Sequence, residues 1–334
     1  MNKQKQFLSV AQGAVAGRKH IAVSKACEDS VFSEEKNDVT VAALSDGCGS
    51  SSKSGIGSKV ITTFLCNMFL SSFNKLYKEP EDSFRTFVIE SIRRKMDEVA
   101  ISEHGTVRDF LGTFLLMAHK NGRFILLHLG DGVITTLFKN GSFLISEENK
   151  GPQDPQSTVY FTYPTASKIM FVKRFKSNDV AGALMSSDGL SNLLAKDGEV
   201  SDEVKDLIKS LSLNRQKGKN DLLNDLHNMS LFQNDEIYVD DDCSLSVLAF
   251  SKDLRKIDFL TNEGFDELLK KRVSNKKTIS VYTKAFRRIK SSCQGPYDVA
   301  YLAKKLAISQ KKTLLLISLL NEYVAFEEGN IVVI

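Results

Sequence analysis

Ala43-Leu44-Ser45-Asp46-Gly47-Cys48-Gly49 is an apolar run that stops on a carboxylate and a glycine. The apolar residues read as a buried strand, and the glycine frees the backbone to turn sharply at the strand end. Two more stretches repeat the pattern: Leu129-Gly130-Asp131-Gly132 and Met185-Ser186-Ser187-Asp188-Gly189-Leu190. A fourth aspartate, Asp241, stands just ahead of the apolar run Ser244 to Phe250. Asp-Gly is ordinary turn chemistry at any one of these places. Four such carboxylates at strand ends can converge on one rim of a sheet, where they repel one another unless a cation lies between them. Hard oxygen donors favour Mg²⁺ or Mn²⁺.

Outward from these corners the chain alternates two periodicities. Leu8 to Val15, Ser30 to Ser33 and Val39 to Leu44 read as strands, the last after the turn-like Lys36-Asn37-Asp38. From Gly57 to Tyr77, apolar residues recur at helical spacing, and a second helix follows Pro80 from Glu81 to Ser102. Thr113 to Ala118, Phe124 to Leu129, Val133 to Phe138 and Phe143 to Ile145 are strands, joined in turn by Asn121-Gly122, the Gly130-Asp131-Gly132 corner and Asn140-Gly141. An irregular loop over 149–165 precedes strands near Ile169 to Phe175 and Val180 to Ser186. Helices are expected at Leu190 to Leu194, Asp202 to Leu211 and Asp221 to Met229, and the strand Ser244 to Phe250 closes the region. This order predicts an α+β fold, with a two-sheet antiparallel core flanked by helices.

The last eighty residues differ. Residues 251–334 hold 16 Lys and Arg against 9 Asp and Glu, whereas residues 1–250 hold 29 against 32. We therefore divide the chain into residues 1–251 and a basic domain of residues 252–334. In the latter, a basic helix at Tyr282 to Ile289 precedes helices at Tyr297 to Leu306 and Lys312 to Glu322. Strands at Tyr323 to Phe326 and Ile331 to Ile334 complete winged-helix order. Such a domain fits a protein partner, docking within the chain or DNA, with the Leu-rich second helix favouring docking over sequence-specific DNA binding.

Overall composition, 42% apolar and 26% charged in 334 residues, is that of a globular protein. No apolar run reaches the length of a membrane span and no signal peptide is apparent, so a cytoplasmic protein is expected. Five scattered cysteines, none in a C-x-x-C pair, speak against a disulfide framework or a structural zinc site. Cys27, Cys48, Cys66 and Cys243 read as small apolar fillers, and His20 as a structural hydrogen-bonding residue.

In order, Cys27-Glu28-Asp29, Leu44-Ser45-Asp46-Gly47, Gly112-Thr113, Gly130-Asp131, Ser187-Asp188-Gly189 and Asp241-Asp242-Cys243-Ser244 resemble the motifs of the metal-dependent serine/threonine protein phosphatases, the protein phosphatase 2C family. The resemblance covers residues 9 to 250. The opening, Gly17-Arg18-Lys19-His20 through Asp29, is most similar to a bacterial subgroup.

It implies a β-sandwich with helical layers outside, α-β-β-α, and two Mn²⁺ or Mg²⁺ ions in a cleft at one end. Asp46 would bridge both ions, with the Gly47 carbonyl as a further ligand. Asp188 and Asp241 would complete the shell of the first, and Glu28 would lie beside the second. Asp131, with Asp188, would hold a third ion seen in many members, and Asp29 would orient a water. The implied reaction is hydrolysis of phosphoserine and phosphothreonine in substrates of a serine/threonine kinase, by a hydroxide shared between two cations.

Several positions depart from the family pattern. Ser24 stands where the family places a phosphate-holding Arg, leaving Arg18, Lys19 and Lys25 as candidates for that role. Cys48 replaces the His of animal members, while Asp242 and Ser244 replace Asn and Thr. Two rivals follow: a catalytically impaired pseudophosphatase scaffold, and a DNA-binding regulator acting through residues 252–334.

Overall fold

The structure, a computed structural model, describes residues 8–146, 149, 157–176, 179–190, 195–196, 199–213, 240–250, 260, 262–273, 275–292, 297–320, 323–327 and 330–333. They fall into two compact units. One comprises residues 1–137 and 143–252, and the other residues 138–142 and 253–334.

The larger unit begins with β1 (Leu8–Val15), a short helix α1 (Arg18–Ala22), and the hairpin β2 (Ser30–Lys36) and β3 (Val39–Ser45). Helices α2 (Ser54–Lys78) and α3 (Glu81–Ser102) and a 3₁₀ turn (Val107–Phe110) follow. Next come β4 (Phe114–Lys120), β5 (Arg123–Leu129), β6 (Val133–Phe138) and β7 (Phe143–Ile145). A helical turn α4 (Ala166–Ile169) leads into β8 (Phe171–Lys176) and β9 (Val180–Ser186). The short pair β10 (Ala195–Lys196) and β11 (Glu199–Val200), helix α5 (Asp202–Leu213) and β12 (Cys243–Phe250) complete it.

The strands form two five-stranded sheets, β1-β12-β9-β6-β7 and β2-β3-β4-β5-β8. Asn37 and Asp38 both adopt positive φ (53° and 61°), as do Asn121 and Gly122 (47° and 76°). Positive φ at both central residues matches the twist of the flanking strands, which is why Asn, Asp and Gly occupy these hairpins. The sheets meet face to face through His119, Phe124 and Phe250, with the His119 and Phe250 rings 5.1 Å apart.

Helices α2 and α3 cover the outer face of the second sheet. Ile61, Leu65, Phe69, Phe73 and Leu76 repeat at helical spacing and are buried with Val39, Val41, Leu116 and Leu127 of the strands. Glu79 is extended (ψ 138°) because the next residue is Pro80, which ends α2 and caps α3. By length and composition α2 could cross a membrane, but half of its most apolar stretch is buried, packed on this sheet. Helix α5 covers the first sheet, where Ile208 sits so close to Gly182 that a Cβ there would lie 2.5 Å away.

The two-sheet core with outer helices is as expected. Three local readings change. Residues Arg18–Ala22 and Val107–Phe110 are helical turns in stretches to which the sequence assigned no element, and β8 starts at Phe171 because α4 takes up Ile169. Of the expected helix at 190–194, residues 191–194 lie outside the described residues, as does all of 221–229.

In the smaller unit, α6 (Asn262–Lys270) and α7 (Lys276–Ser292) precede α8 (Val299–Leu306), α9 (Gln310–Leu319) and the hairpin β13 (Val324–Glu327) and β14 (Asn330–Val333). Helix α6 was not expected, and the basic helix is longer than its apolar spacing suggested. Phe265 and Phe286 stack at 4.2 Å in a core shared with Tyr282, Leu302, Leu316 and Ile331.

The Phe69 and Phe84 rings pack edge to face at 6.2 Å with no exposure, bridging α2 and α3. Phe84→Ala should therefore cost about 3–5 kcal/mol, from lost burial plus the cavity left behind. Denaturant unfolding followed by circular dichroism checks this. A change under 1 kcal/mol would mean that the two helices do not form this core.

Candidate metal centre

Antiparallel register brings the acidic corners to one end of the sandwich. Ser30 pairs with Ser45, Leu44 with Leu115, and Phe114 with Leu129, so the start of β2, end of β3, start of β4 and end of β5 lie side by side. An isolated bridge between Gly47 and Gly112 extends this row past the strands. In the other sheet Val15 pairs with Cys243 and Leu245 with Ser186, placing the end of β1, start of β12 and end of β9 together.

Side chains lock the corners. The Asp46 N–H donates to Thr113 Oγ1 (3.1 Å), Thr113 N–H donates to the Asp46 carbonyl (2.9 Å), and Ser45 Oγ donates to the Thr113 carbonyl (2.6 Å). Gly130 has φ +125°, a conformation that L side chains rarely adopt, and it turns the chain into Asp131. Thr158, in the loop before α4, donates its hydroxyl to Asp131 Oδ2. Ser187 and Ser244 tie β9 to β12 by a reciprocal pair: Ser187 N–H to the Ser244 carbonyl (3.1 Å), Ser244 N–H to Ser187 Oγ (2.9 Å).

The result is that Asp46, Asp131 and Asp188 each offer a carboxylate oxygen within 4.8 Å of the others. Burial raises the Asp46 carboxyl well above its ordinary range, and the charges of Asp29, Asp188 and Asp131 push it further. Asp188 is raised by burial and by Asp131. Asp29, 8% exposed, is pushed up to about 6, chiefly by burial. The hydroxyls of Ser244 and Ser187 oppose that shift, but neither Asp29 oxygen makes a well-formed hydrogen bond. Crowded carboxylates with raised pKa values, and a buried carboxylate without a donor, are what a divalent cation would relieve. The all-oxygen donor set fits Mg²⁺ or Mn²⁺.

The remaining expected residues take other positions. Gly47 is buried against Glu28, whose Cβ would lie 3.0 Å from a Cβ added to the glycine. The Glu28 carboxylate turns to Lys25 Nζ (2.7 Å) and lies 3.7 Å from His20 Nε2. Asp241 is exposed and accepts the N–H of its neighbour Asp242 (2.9 Å). Arg18, Lys19 and Lys25 are exposed on and just after α1, and Ser24 sits at positive φ (55°) in the turn between that helix and Glu28.

Sequence reasoning missed the role of Asp242. This carboxylate, 4% exposed, accepts from Gly17 N–H (2.8 Å), His20 Nδ1 (2.8 Å) and Glu28 N–H (2.6 Å). Gly17 and Gly189 press on the 241–242 backbone from two sides: an added Cβ would lie 2.1 Å from the Asp241 carbonyl or 2.3 Å from that of Asp242. Tyr160 was also missed. Its hydroxyl reaches the Cys48 thiol, and burial together with the nearby Asp131 and Asp46 charges raises its pKa. Burial raises the Cys48 thiol in turn, but the hydroxyls of Ser50, Tyr160 and Ser51 outweigh it and leave the thiol below its ordinary value.

A carboxyl with a raised folded pKa holds its proton more tightly folded than unfolded. Without metal, stability should therefore fall as pH climbs from Asp29's ordinary 3.8 toward about 6, and stay low above. Thermal melts of chelator-treated protein between pH 4 and 7 should show that fall. It should be smaller in Asp29→Asn, and Mn²⁺ should reverse it at pH 7. Parallel profiles for the two proteins would remove Asp29 as the source.

The protein phosphatase 2C family model matches residues 16–227. Among curated proteins, none matches the sequence. In fold, the chain is similar to a bacterial serine phosphatase carrying a point mutation (TM-score 0.51, 15% identity, 73% of this chain and 98% of that one). It is similar also to the serine/threonine phosphatase of S. agalactiae (TM-score 0.51, 14% identity, 73% of this chain and 100% of that one).

Proposed function

The chain belongs to the protein phosphatase 2C family, and we propose that it removes phosphate from phosphoserine and phosphothreonine in proteins, using two divalent cations held at the acidic end of the sandwich. The observation that carries this reading is the convergence of Asp46, Asp131 and Asp188 to within 4.8 Å. Mn²⁺ or Mg²⁺ bound there would supply Lewis acidity, lowering the pKa of a shared water and offsetting charge on the phosphoryl oxygens.

The chain's own residues do the rest. Asp46 would be the central ligand, since both Asp29 and the other two carboxylates act on it. The Gly47 carbonyl stands at the same corner. Asp131 and Asp188 are close enough to act on one another's charge and would together hold a third ion, and Thr158 fixes the direction of Asp131. Asp29, buried beside Asp46 with no donor of its own, orients the attacking water and can take its proton. Asp241 lies within electrostatic reach of Asp188 and would join it in holding a cation. Arg18, Lys19 and Lys25, exposed on and just after α1, are the candidate cations for the substrate phosphate, in place of the family's arginine. Attack is in line, with no covalent phospho-enzyme, so no Cys or His nucleophile is needed.

Residues 252–334 form the targeting or regulatory module, through a protein partner or DNA, and the substrates are products of a serine/threonine kinase in the cytoplasm. The winged-helix element order of α8, α9 and the β13–β14 hairpin supports this assignment.

Turnover of p-nitrophenyl phosphate and of a phosphothreonine peptide should require Mn²⁺ or Mg²⁺. In Asp46→Asn, kcat should drop at least about a hundredfold, on the scale of several kcal/mol of lost charge stabilisation. Metal-independent turnover, or an Asp46→Asn variant with undiminished kcat, would refute the mechanism. A wild-type protein that binds Mn²⁺ yet turns over neither substrate would be a scaffold instead.

A further inference from the structure

Beside the three-aspartate corner lies a second group with a different donor chemistry. His20 is held by a carboxylate at one ring nitrogen: Nδ1 stands 2.8 Å from Asp242 Oδ1, whose own position is set by two backbone N–H donors. A carboxylate can only accept, so Nδ1 carries a proton; when Nε2 carries none, its lone pair is free to meet a metal ion. That nitrogen points at Glu28 Oε2, 3.7 Å away. This separation is too long for a hydrogen bond. It is close to the roughly 3–3.5 Å that separates neighbouring ligands of one cation bound at about 2.0–2.2 Å. Both side chains are largely shielded, at 18% and 9% exposure. A carboxylate behind one imidazole nitrogen and a second carboxylate before the other is the usual outer-shell arrangement of a metal-binding histidine.

A positive charge already sits at this carboxylate. Lys25 Nζ lies 2.7 Å from the same Glu28 Oε2, and its side chain is 41% exposed, so it can swing out to water. The ammonium stands in for a cation at the open side of the pair.

We propose that His20 Nε2 and Glu28 form a mixed nitrogen–oxygen cation site, and that Lys25 occupies it as an internal counter-ion until a divalent metal displaces it. Imidazole favours Mn²⁺ or Zn²⁺ over Mg²⁺, since Mg²⁺ takes oxygen ligands and keeps its waters. The site therefore gives the cleft a preference that its aspartates do not. Displacement also frees the Lys25 ammonium, next to the cleft, for a substrate phosphate. The inference rests on the reading of the neighbouring corner as a cation centre only in that both are loaded together. Its own signature is nitrogen coordination.

The experiment is Mn²⁺ titration of the full chain, followed by electron paramagnetic resonance with pulsed detection of ¹⁴N coupling. In the wild type, bound Mn²⁺ should show a directly coordinated imidazole nitrogen. His20→Gln should abolish that coupling and weaken one class of Mn²⁺ at least about tenfold, the scale seen when a metal site loses supporting groups. A second class, removed by Asp46→Asn, should remain. Lys25→Met, which deletes the competing ammonium, should tighten the nitrogen-bearing class several-fold. It should also narrow the difference between Mn²⁺ at low and at high ionic strength. Mn²⁺ bound with no nitrogen coupling overturns the His20 site while leaving the aspartate centre intact, and His20 is then only a clasp between Asp242 and Glu28. No Mn²⁺ bound at all overturns both. Because the wild-type spectrum and the Lys25→Met affinity decide the matter by themselves, poor folding of His20→Gln does not leave it open.

Discussion

The Asp242 carboxylate, buried at the start of the last strand of the larger unit, accepts from three donors more than two hundred residues away in the chain: Gly17 N–H, His20 Nδ1 and Glu28 N–H. Each bond joins the end of the unit to its beginning. Removing the acceptor would orphan two buried backbone donors at once, at about 1–3 kcal/mol each. This side chain ties Glu28 and the start of α1 to the last strand, alongside the bond from Lys19 N–H to the Asp240 carbonyl. The glycines on either side serve the same contact, because only residues without a Cβ let β1 and the turn after β9 press so closely on the 241–242 backbone.

With the strand ends clasped, electrostatics at the cleft follows from geometry. Asp46, Asp131, Asp188 and Asp29 are positioned by backbone turns and hydroxyl donors, and burial together with their neighbours' charges holds the Asp46, Asp188 and Asp29 carboxyls above their ordinary range. Such a corner stores repulsion that a cation releases, which couples metal loading to stability. The Glu28 side is balanced differently. There an ammonium and an imidazole face the carboxylate, so one cleft contains an all-oxygen pocket and a nitrogen-bearing one next to each other.

Much of this was legible in the sequence for a physical reason. Asp46, Asp131 and Asp188 each terminate an apolar run and precede a glycine, so they had to fall at strand ends. Hairpin signals at Asn37-Asp38 and Asn121-Gly122 set the strand pairing that brings those ends to one side. What was not legible depends on partners far apart in the chain. Asp242 looked like a mild replacement for Asn, and only the fold shows three donors converging on it. Thr158 and Tyr160 sit in a stretch without periodicity, so nothing local aimed them at Asp131 and Cys48. Glu28 was expected beside the second cation, directly or through water; its turn toward Lys25 and His20 depends on α1, a five-residue helix too short to leave a periodic signal.

The order of strands in the first sheet, β1-β12-β9-β6-β7, places the last strand of the unit between its first and its ninth. A nascent polypeptide emerging from the ribosome therefore cannot close this sheet until residue 250 has been made. Until then β1 lacks its neighbour, and an unpaired edge is open to association with other chains. Synthesis of the final strand joins β1 to β9 and completes that sheet. An interrupted product ending before Cys243 would thus leave β1 and β9 unjoined, so translation must run past the whole domain before its two ends can be clasped.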